Sequence, residues 1–167
     1  MWAMALGIRF AGPPDAEAVH ALICGLAHYE RAPDAVEVTP DTLREQLACP
    51  RPPFECLLAE EDGVPCGFAL FFQSYSTWRG RPGLWLEDLF VLETHRRRGI
   101  GRALLRRLAA LAVERGYARM EWAVLDWNRP AWEFYRSLGA EPLEEWTTHR
   151  LSAPAIEALA EAGPVGE

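Results

Sequence analysis

Four arginines and two glycines occupy seven consecutive positions of the sequence, 96–102. An apolar stretch precedes them and a helix-like pattern follows, so they are predicted to join a strand to the first turn of a helix. Unpaired amides and the positive end of the dipole at a helix start favour phosphate groups, and glycine lets an anion approach the backbone closely. The segment therefore indicates a phosphate site, with a plain strand-to-helix turn flanked by solvated arginines as the alternative.

Several classes of phosphate-binding protein do not fit this segment. A Rossmann dinucleotide site would need a third glycine or alanine where the chain has Leu104, and Glu121 lies inside the next predicted strand rather than at its end. All 17 basic residues are arginine. The lack of lysine excludes phosphate-loop NTPases and Schiff-base enzymes.

Two neighbouring acids, Glu87 and Asp88, interrupt an apolar stretch that is predicted to be a strand. A carboxylate in such a strand is costly unless it is paired or functional, so either a structural ion pair or a catalytic role is expected. Side chains of adjacent strand residues point to opposite faces. The two acids are therefore expected to have different roles.

Asn128 and Tyr135 are seven residues apart in a segment predicted to be helical. Seven residues make about two helical turns, so both side chains can lie on one face. Tyr135 can act as a proton donor there, or it can be an ordinary packed aromatic beside Trp132 and Phe134.

Helical and strand-like patterns alternate along the chain. Strands are predicted at 6–10, 54–60, 64–75, 84–92 and 119–124, with a final hairpin within 140–151, and helices are predicted after Pro13, after Thr39, from about 100 to Gly116, and at 128–137. This order predicts a mixed α/β fold with parallel pairing around the long helix.

The length of 167 residues and a hydrophobic fraction of 50% suit one domain over 1–167, with its core at about 6–151. The net charge of -7 disfavours nucleic acid and anionic membranes as partners and favours small cationic molecules. A signal peptide or an apolar run long enough to span a membrane is not evident. The protein is therefore expected to be cytoplasmic.

Metal binding is not expected from the sequence. The four cysteines, Cys24, Cys49, Cys56 and Cys66, form no CxxC pair, and the four histidines are scattered without an HExxH motif.

The segment Arg96-x-x-Gly99-x-Gly101 resembles the acetyl-CoA pyrophosphate motif, R/Q-x-x-G-x-G/A, of the GNAT superfamily of N-acetyltransferases. Four further segments resemble the spermidine/spermine (diamine) and thialysine acetyltransferases of that superfamily: YSTWRG at 75–80, LEDLFV at 86–91, AVLDWN at 123–128 and FYRSLGA at 134–140. The resemblance runs from about Ile8 to Leu151 and is weaker in the first 70 residues.

The resemblance implies a GNAT fold: a central mixed, mostly antiparallel sheet with a parallel strand pair splayed around acetyl-CoA, and flanking helices. It also implies a homodimer. The acetyl-CoA contacts that it implies are Phe90, Val91, Leu92, Arg96, Arg97, Arg98, Gly99, Ile100, Gly101, Arg102, Asn128 and Tyr135.

The same resemblance implies direct acetyl transfer to a primary amine of a polyamine, diamine or thialysine-like substrate. Glu87 would be the base, acting directly or through water, and Tyr135 the acid, while Tyr29, Glu30, Glu87 and Asp88 would contact the amine. For Glu30, a solvated helix-end carboxylate is the alternative. Acetylation of a protein N-terminus or lysine, and a weakly catalytic acyl-CoA sensor, remain open as alternative functions.

Overall fold

The computed structural model describes residues 5–161, and the chain divides between Ala123 and Val124 into two compact units. The first unit contains strands β1 (Leu6–Phe10), β2 (Glu55–Glu61), β3 (Val64–Ser76), β4 (Arg81–Val91) and β5 (Met120–Glu121), and helices α1 (Ala16–Tyr29), α2 (Pro40–Ala48) and α3 (Ile100–Glu114). The second contains helices α4 (Arg129–Arg136) and α5 (Ala153–Glu161).

The strands of the first unit form one sheet in the order β1-β2-β3-β4-β5. Neighbours are antiparallel except β4 and β5, which are parallel and pair through Leu84 with Met120 and Trp85 with Glu121. The predicted mixed, mostly antiparallel sheet with one parallel pair is thus confirmed.

Strand β5 is shorter than the predicted 119–124. Its ladder with β4 ends at Trp85, immediately before an irregularity in β4 at residues 86–88. A bulge bends the strand that contains it, so the two parallel strands lose their register there.

Helices cover both faces of the sheet. Leu22 of α1 and Leu43 of α2 pack with Leu58 and Phe68 in one apolar cluster. Helix α3 contacts β1 to β4 and buries Leu104 and Leu108. The helical spacing of these apolar residues explains why each helix has one buried face.

The prediction of a final hairpin at 140–151 is wrong. No strand occurs in this stretch, whose only regular feature is a turn closed by the Trp146 amide on the Leu143 carbonyl at 3.3 Å. Residues 141–150 are all exposed. An isolated two-stranded hairpin is marginal without a surface to bury its apolar face.

Helix α5, which follows this stretch, was not predicted from the sequence. Ser152 begins this helix, because its carbonyl accepts the amides of Ala155 at 2.9 Å and Ile156 at 3.0 Å. Alanine, leucine and glutamate, which favour helices, fill the rest. Within residues 5–161, no helix has the length and apolar character needed to cross a membrane.

Candidate active site

The arginine and glycine segment leads from β4 to α3, as the sequence predicts. A single 3-10 turn at Glu93–His95 follows β4, and Gly99 caps the N-terminus of α3 with a left-handed backbone, φ 81°. A Cβ placed on Gly99 would meet no atom within 4 Å, so the space beside its backbone is open. The start of α3 therefore has the amides and the space that a pyrophosphate group needs.

Arg96, the first residue of the motif, lies against the end of α1. Its Nε donates to the Val91 carbonyl at 3.0 Å, and its Cζ lies 4.5 Å from the ring centre of Tyr29 and 5.5 Å from that of Phe90. A guanidinium over an aromatic face is attracted by the electrons of the ring. Arg96 thus joins the end of β4, the end of α1 and the loop before α3.

Two strand-end residues of the predicted acetyl-CoA site already make packing contacts or hydrogen bonds within the protein. The Phe90 side chain packs in the core under α1. The Leu92 amide donates to the Cys66 carbonyl at 2.9 Å, while its own carbonyl accepts the His95 amide at 2.8 Å. Leu92 therefore supports the loop more clearly than it offers a backbone group to a ligand.

The helix residues of this predicted site differ in their exposure. Ile100, the first residue of α3, is buried, whereas Gly101 is partly buried and Arg102 is exposed. In the loop before α3, Arg97 has a left-handed backbone conformation with φ 63°, and Arg98 is the next residue.

Glu87 is the extra residue of a bulge in β4. Opposite it on β3, the consecutive residues Phe71 and Leu70 pair with Leu86 and Asp88, so Glu87 has no partner in the register. The Trp85 Nε1 donates to the Glu87 carboxylate at 2.8 Å, which places both side chains on one side of β4. The sequence did not indicate this role of Trp85, although residues two apart on a strand share a face.

The expectation that Glu87 and Asp88 point to opposite faces is wrong because of this bulge. Trp85 pairs with Phe72 and Asp88 pairs with Leu70, and residues two apart on β3 share a face. Since Glu87 contacts Trp85, both acids lie on the α1 side of the sheet. A bulge changes the alternation of side chains, so the two carboxylates can act together.

Three carboxylates create a negative field at this place. Burial, and after it the negative charges of Glu87 and Glu30, raise the pKa of Asp88 to about 6. Burial also raises the pKa of Glu30, at the end of α1. Such a field attracts a cation, whose positive charge would in turn lower both pKa values.

Gly25 lets α1 pack closely against β4. A Cβ on Gly25 would lie 2.8 Å from the Cε1 atom of Phe90, so a larger residue would force the Phe90 ring or α1 to move. Gly25 was not among the predicted site residues. A glycine within an otherwise regular apolar helix was its only signal.

The second unit contains the remaining predicted site residues on one helix. Asn128 is buried at the N-terminus of α4, where its Oδ1 accepts the Ala131 amide at 3.4 Å. Tyr135 is in the last turn of α4, and its ring centre is 5.3 Å from that of Phe134. The predicted helix is confirmed, with Asn128 as its cap.

Across the described part of the chain, histidine, cysteine, aspartate and glutamate residues form no group of three or more that could hold a metal ion. The chemistry of the described sites is that of arginine, carboxylates, tyrosine and backbone amides.

Residues 24–140 match the acetyltransferase (GNAT) family. The thialysine N-epsilon-acetyltransferase of Bos taurus is 37% identical over 164 residues, covering 92% of this chain and 96% of that protein. The L-ornithine N5-acetyltransferase of Arabidopsis thaliana is 42% identical over 98 residues, covering 59% of this chain and 43% of that protein.

Solved structures show the same fold. An integron cassette protein from V. cholerae has a TM-score of 0.80 at 22% identity, covering 96% of this chain and 100% of that chain. An aminoglycoside N-acetyltransferase in complex with CoA has a TM-score of 0.72 at 22% identity, covering 90% of this chain and 97% of that chain.

Proposed function

The chain belongs to the GNAT family of acetyltransferases, and we propose that it transfers an acetyl group from acetyl-CoA to a primary amine of a small cationic substrate. The observation that carries this proposal is that three acids and a loop of the phosphate-binding type occur in the same unit. The acids are Glu30, Glu87 and Asp88. The names of the thialysine, ornithine and spermidine/spermine-like relatives support an amine of the same chemical class.

The amides at the start of α3 would hold the pyrophosphate of acetyl-CoA. Gly99 leaves the approach open, and the arginines of 96–102 supply positive charge to balance the phosphates. When bound, acetyl-CoA supplies an acetyl group activated as a thioester. The protein is then required to bring an uncharged amine to it.

The acids would bind the amine and take its proton. A primary amine with a pKa of about 10.4 is protonated at pH 7, and removing that proton costs about 4 to 5 kcal/mol. Glu87 is exposed and oriented by Trp85, so it can receive the proton and pass it to solvent. Asp88, more buried, would add the negative charge that keeps the cation in place.

Tyr135 would protonate the thiolate that leaves when the amine attacks the acetyl carbon. The resemblance at 134–140 supports this role, while its ring contact with Phe134 is also what a packed aromatic would show. Positioned acids and bases each contribute about 100- to 10,000-fold to a rate. Asn128 is assigned to acetyl-CoA binding on the same resemblance.

We also propose that residues 1–167 act as one domain, that the protein works in the cytoplasm, and that it forms a homodimer. The net charge of -7 supports the view that nucleic acids and anionic membranes are not its partners. Sedimentation at micromolar concentration tests the homodimer, and a monomer there would contradict it.

Acetyl-CoA consumption with a panel of acceptors tests the function. Thialysine, ornithine, diamines and polyamines are expected to be acetylated faster than lysine-containing or N-terminal peptides. A preference for peptides would favour protein acetylation instead. Binding of acetyl-CoA without turnover on any acceptor would favour an acyl-CoA sensor.

A further inference from the structure

Glu61 is a buried carboxylate at the end of β2, where a solvated side chain would be expected. Only 8% of its side chain is exposed. The Arg98 Nη1 donates to its Oε2 at 2.8 Å, and the His95 Nε2 lies 3.6 Å from the same oxygen. A buried carboxylate is costly without such partners, so these contacts compensate its loss of water.

Both partners of Glu61 belong to the segment that connects β4 to α3. His95 ends the 3-10 turn, and Arg98 is in the loop that follows. The side chains of Glu61 and Arg98 meet across 37 positions of sequence. The contact therefore fixes the loop to a strand on another part of the sheet.

The backbone of this loop has a conformation that residues other than glycine rarely adopt. Arg97 has φ 63° and Gly99 has φ 81°, and Arg98 lies between these two left-handed residues. A residue with a side chain enters this region at an energetic cost, so the surroundings must hold it there. Arg96 holds the loop to the end of β4, and Arg98, which is bound to Glu61, holds it to β2.

We propose that Glu61 is a positioning residue for acetyl-CoA. Through Arg98 and His95 it holds residues 96–99 in the conformation that presents the amides of α3 to the pyrophosphate. The inference rests on the proposed function, because it assigns a role toward the same acetyl-CoA site. Arg98 then contributes to binding through the shape of the loop rather than by contact with phosphate alone.

The first test is calorimetric titration of the purified protein with CoA. Glu61→Gln keeps the size of the side chain but removes its charge, and Arg98→Gln removes the other half of the pair. Each is expected to raise the dissociation constant of CoA about tenfold, as the loss of one hydrogen bond between charged groups would. The double variant is expected to bind CoA no more weakly than the weaker-binding single variant, because both substitutions break the same interaction.

A matched control comes from the other end of the same strand. Glu55 accepts two hydrogen bonds from Arg115, at 2.5 and 2.8 Å, away from the loop. Glu55→Gln thus removes another arginine–glutamate pair from β2, one whose carboxylate is more exposed than that of Glu61. It is expected to leave the affinity for CoA unchanged.

Steady-state kinetics supply a second measurement that a general loss of stability would not reproduce. In Glu61→Gln, the KM for acetyl-CoA is expected to rise about tenfold, while kcat at saturating acetyl-CoA stays within about twofold of the wild type. A fall in kcat with an unchanged KM would overturn the assignment.

The remaining outcomes separate this inference from the proposed function. Failure of the wild-type protein to bind CoA would contradict the proposed function itself. Wild-type affinity in folded Glu61→Gln, or additive effects in the double variant, would overturn the positioning role alone. If Glu61→Gln does not fold, Arg98→Gln and His95→Gln test the same contacts, and unchanged CoA affinity in both would overturn it.

Discussion

The Cζ atom of Arg96 lies 4.5 Å from the centre of the Tyr29 ring. This contact joins the first residue of the phosphate-binding loop to the last residue of α1. Glu30, one of the three acids of the proposed amine site, follows Tyr29 directly. Tyr29 thus contacts the loop and directly precedes one of the acids, so a change at Tyr29 is expected to affect both the loop and Glu30.

Replacing Tyr29 with leucine is expected to weaken the binding of both substrates. Loss of the ring removes a cation–π contact of about 0.5 to 1 kcal/mol, which corresponds to a change of about two- to fivefold. The KM values for acetyl-CoA and for the amine should both rise by that amount. Tyr29→Phe keeps the ring and serves as the control, with an unchanged KM for acetyl-CoA. A rise in that KM in the control would show that the hydroxyl, and not the ring, matters.

A side chain at Gly99 is expected to reduce acetyl-CoA affinity. Gly99→Val would place a β-branched side chain in the open space beside the backbone and would force valine into a left-handed conformation. The dissociation constant of CoA, measured by calorimetry, should rise at least tenfold.

Gly63 offers a matched control for Gly99. It has the same φ of 81°, and its Cβ position is also free of neighbouring atoms, but it lies in the turn between β2 and β3. Gly63→Val should lose a similar amount of stability, of about 1 to 2 kcal/mol, without losing CoA affinity. Equal losses of affinity in the two variants would mean that Gly99 acts only through stability.

The ionised Asp88 is expected to destabilise the free protein at neutral pH. Its pKa is raised from 3.8 to about 6, mainly by burial, so the folded protein binds its proton more tightly than the unfolded chain does. The destabilisation is therefore absent below about pH 4 and complete above about pH 6, where it reaches about 3 kcal/mol at most.

Asp88→Asn should remove this effect. Chemical denaturation at pH 7 is expected to show a larger free energy of unfolding in the variant, and the difference should vanish as the pH falls to 4. Acetyl transfer to a cationic amine should nevertheless be slower. A variant that is less stable than the wild type at pH 7 would show that the Asp88 carboxylate has a stabilising partner.

Local patterns predicted much of the first unit. Short strand-like runs predicted β1 to β3, Thr39 marked the start of α2, and Gly116 marked the end of α3. In β4, the apolar pattern around Glu87 is compatible with a regular strand. The bulge depends on how β3 pairs with it, which one strand cannot indicate.

Contacts between distant residues were the least predictable part of the candidate site. Glu61 and Arg98 are 37 positions apart, and although the sequence marks Arg98 as part of the phosphate segment, it does not indicate that Glu61 pairs with it. Gly25 matters because Phe90 packs against it. The false hairpin at 140–151 had suitable strand residues, but strand formation also needs a neighbouring surface to cover them.

The hydroxyl of Tyr135 is expected to contribute to turnover. If it protonates the leaving thiolate, Tyr135→Phe should lower kcat about 100-fold or more and leave CoA affinity nearly unchanged, because only the transition state uses the proton. Tyr117→Phe is the control, since it removes a hydroxyl that donates to Gln73 at 3.1 Å in the first unit, and it should keep wild-type turnover. The comparison requires that chemistry limits the rate, and a pre-steady-state experiment without a product burst meets that requirement. Wild-type turnover in Tyr135→Phe under that condition would assign Tyr135 to packing beside Phe134 instead.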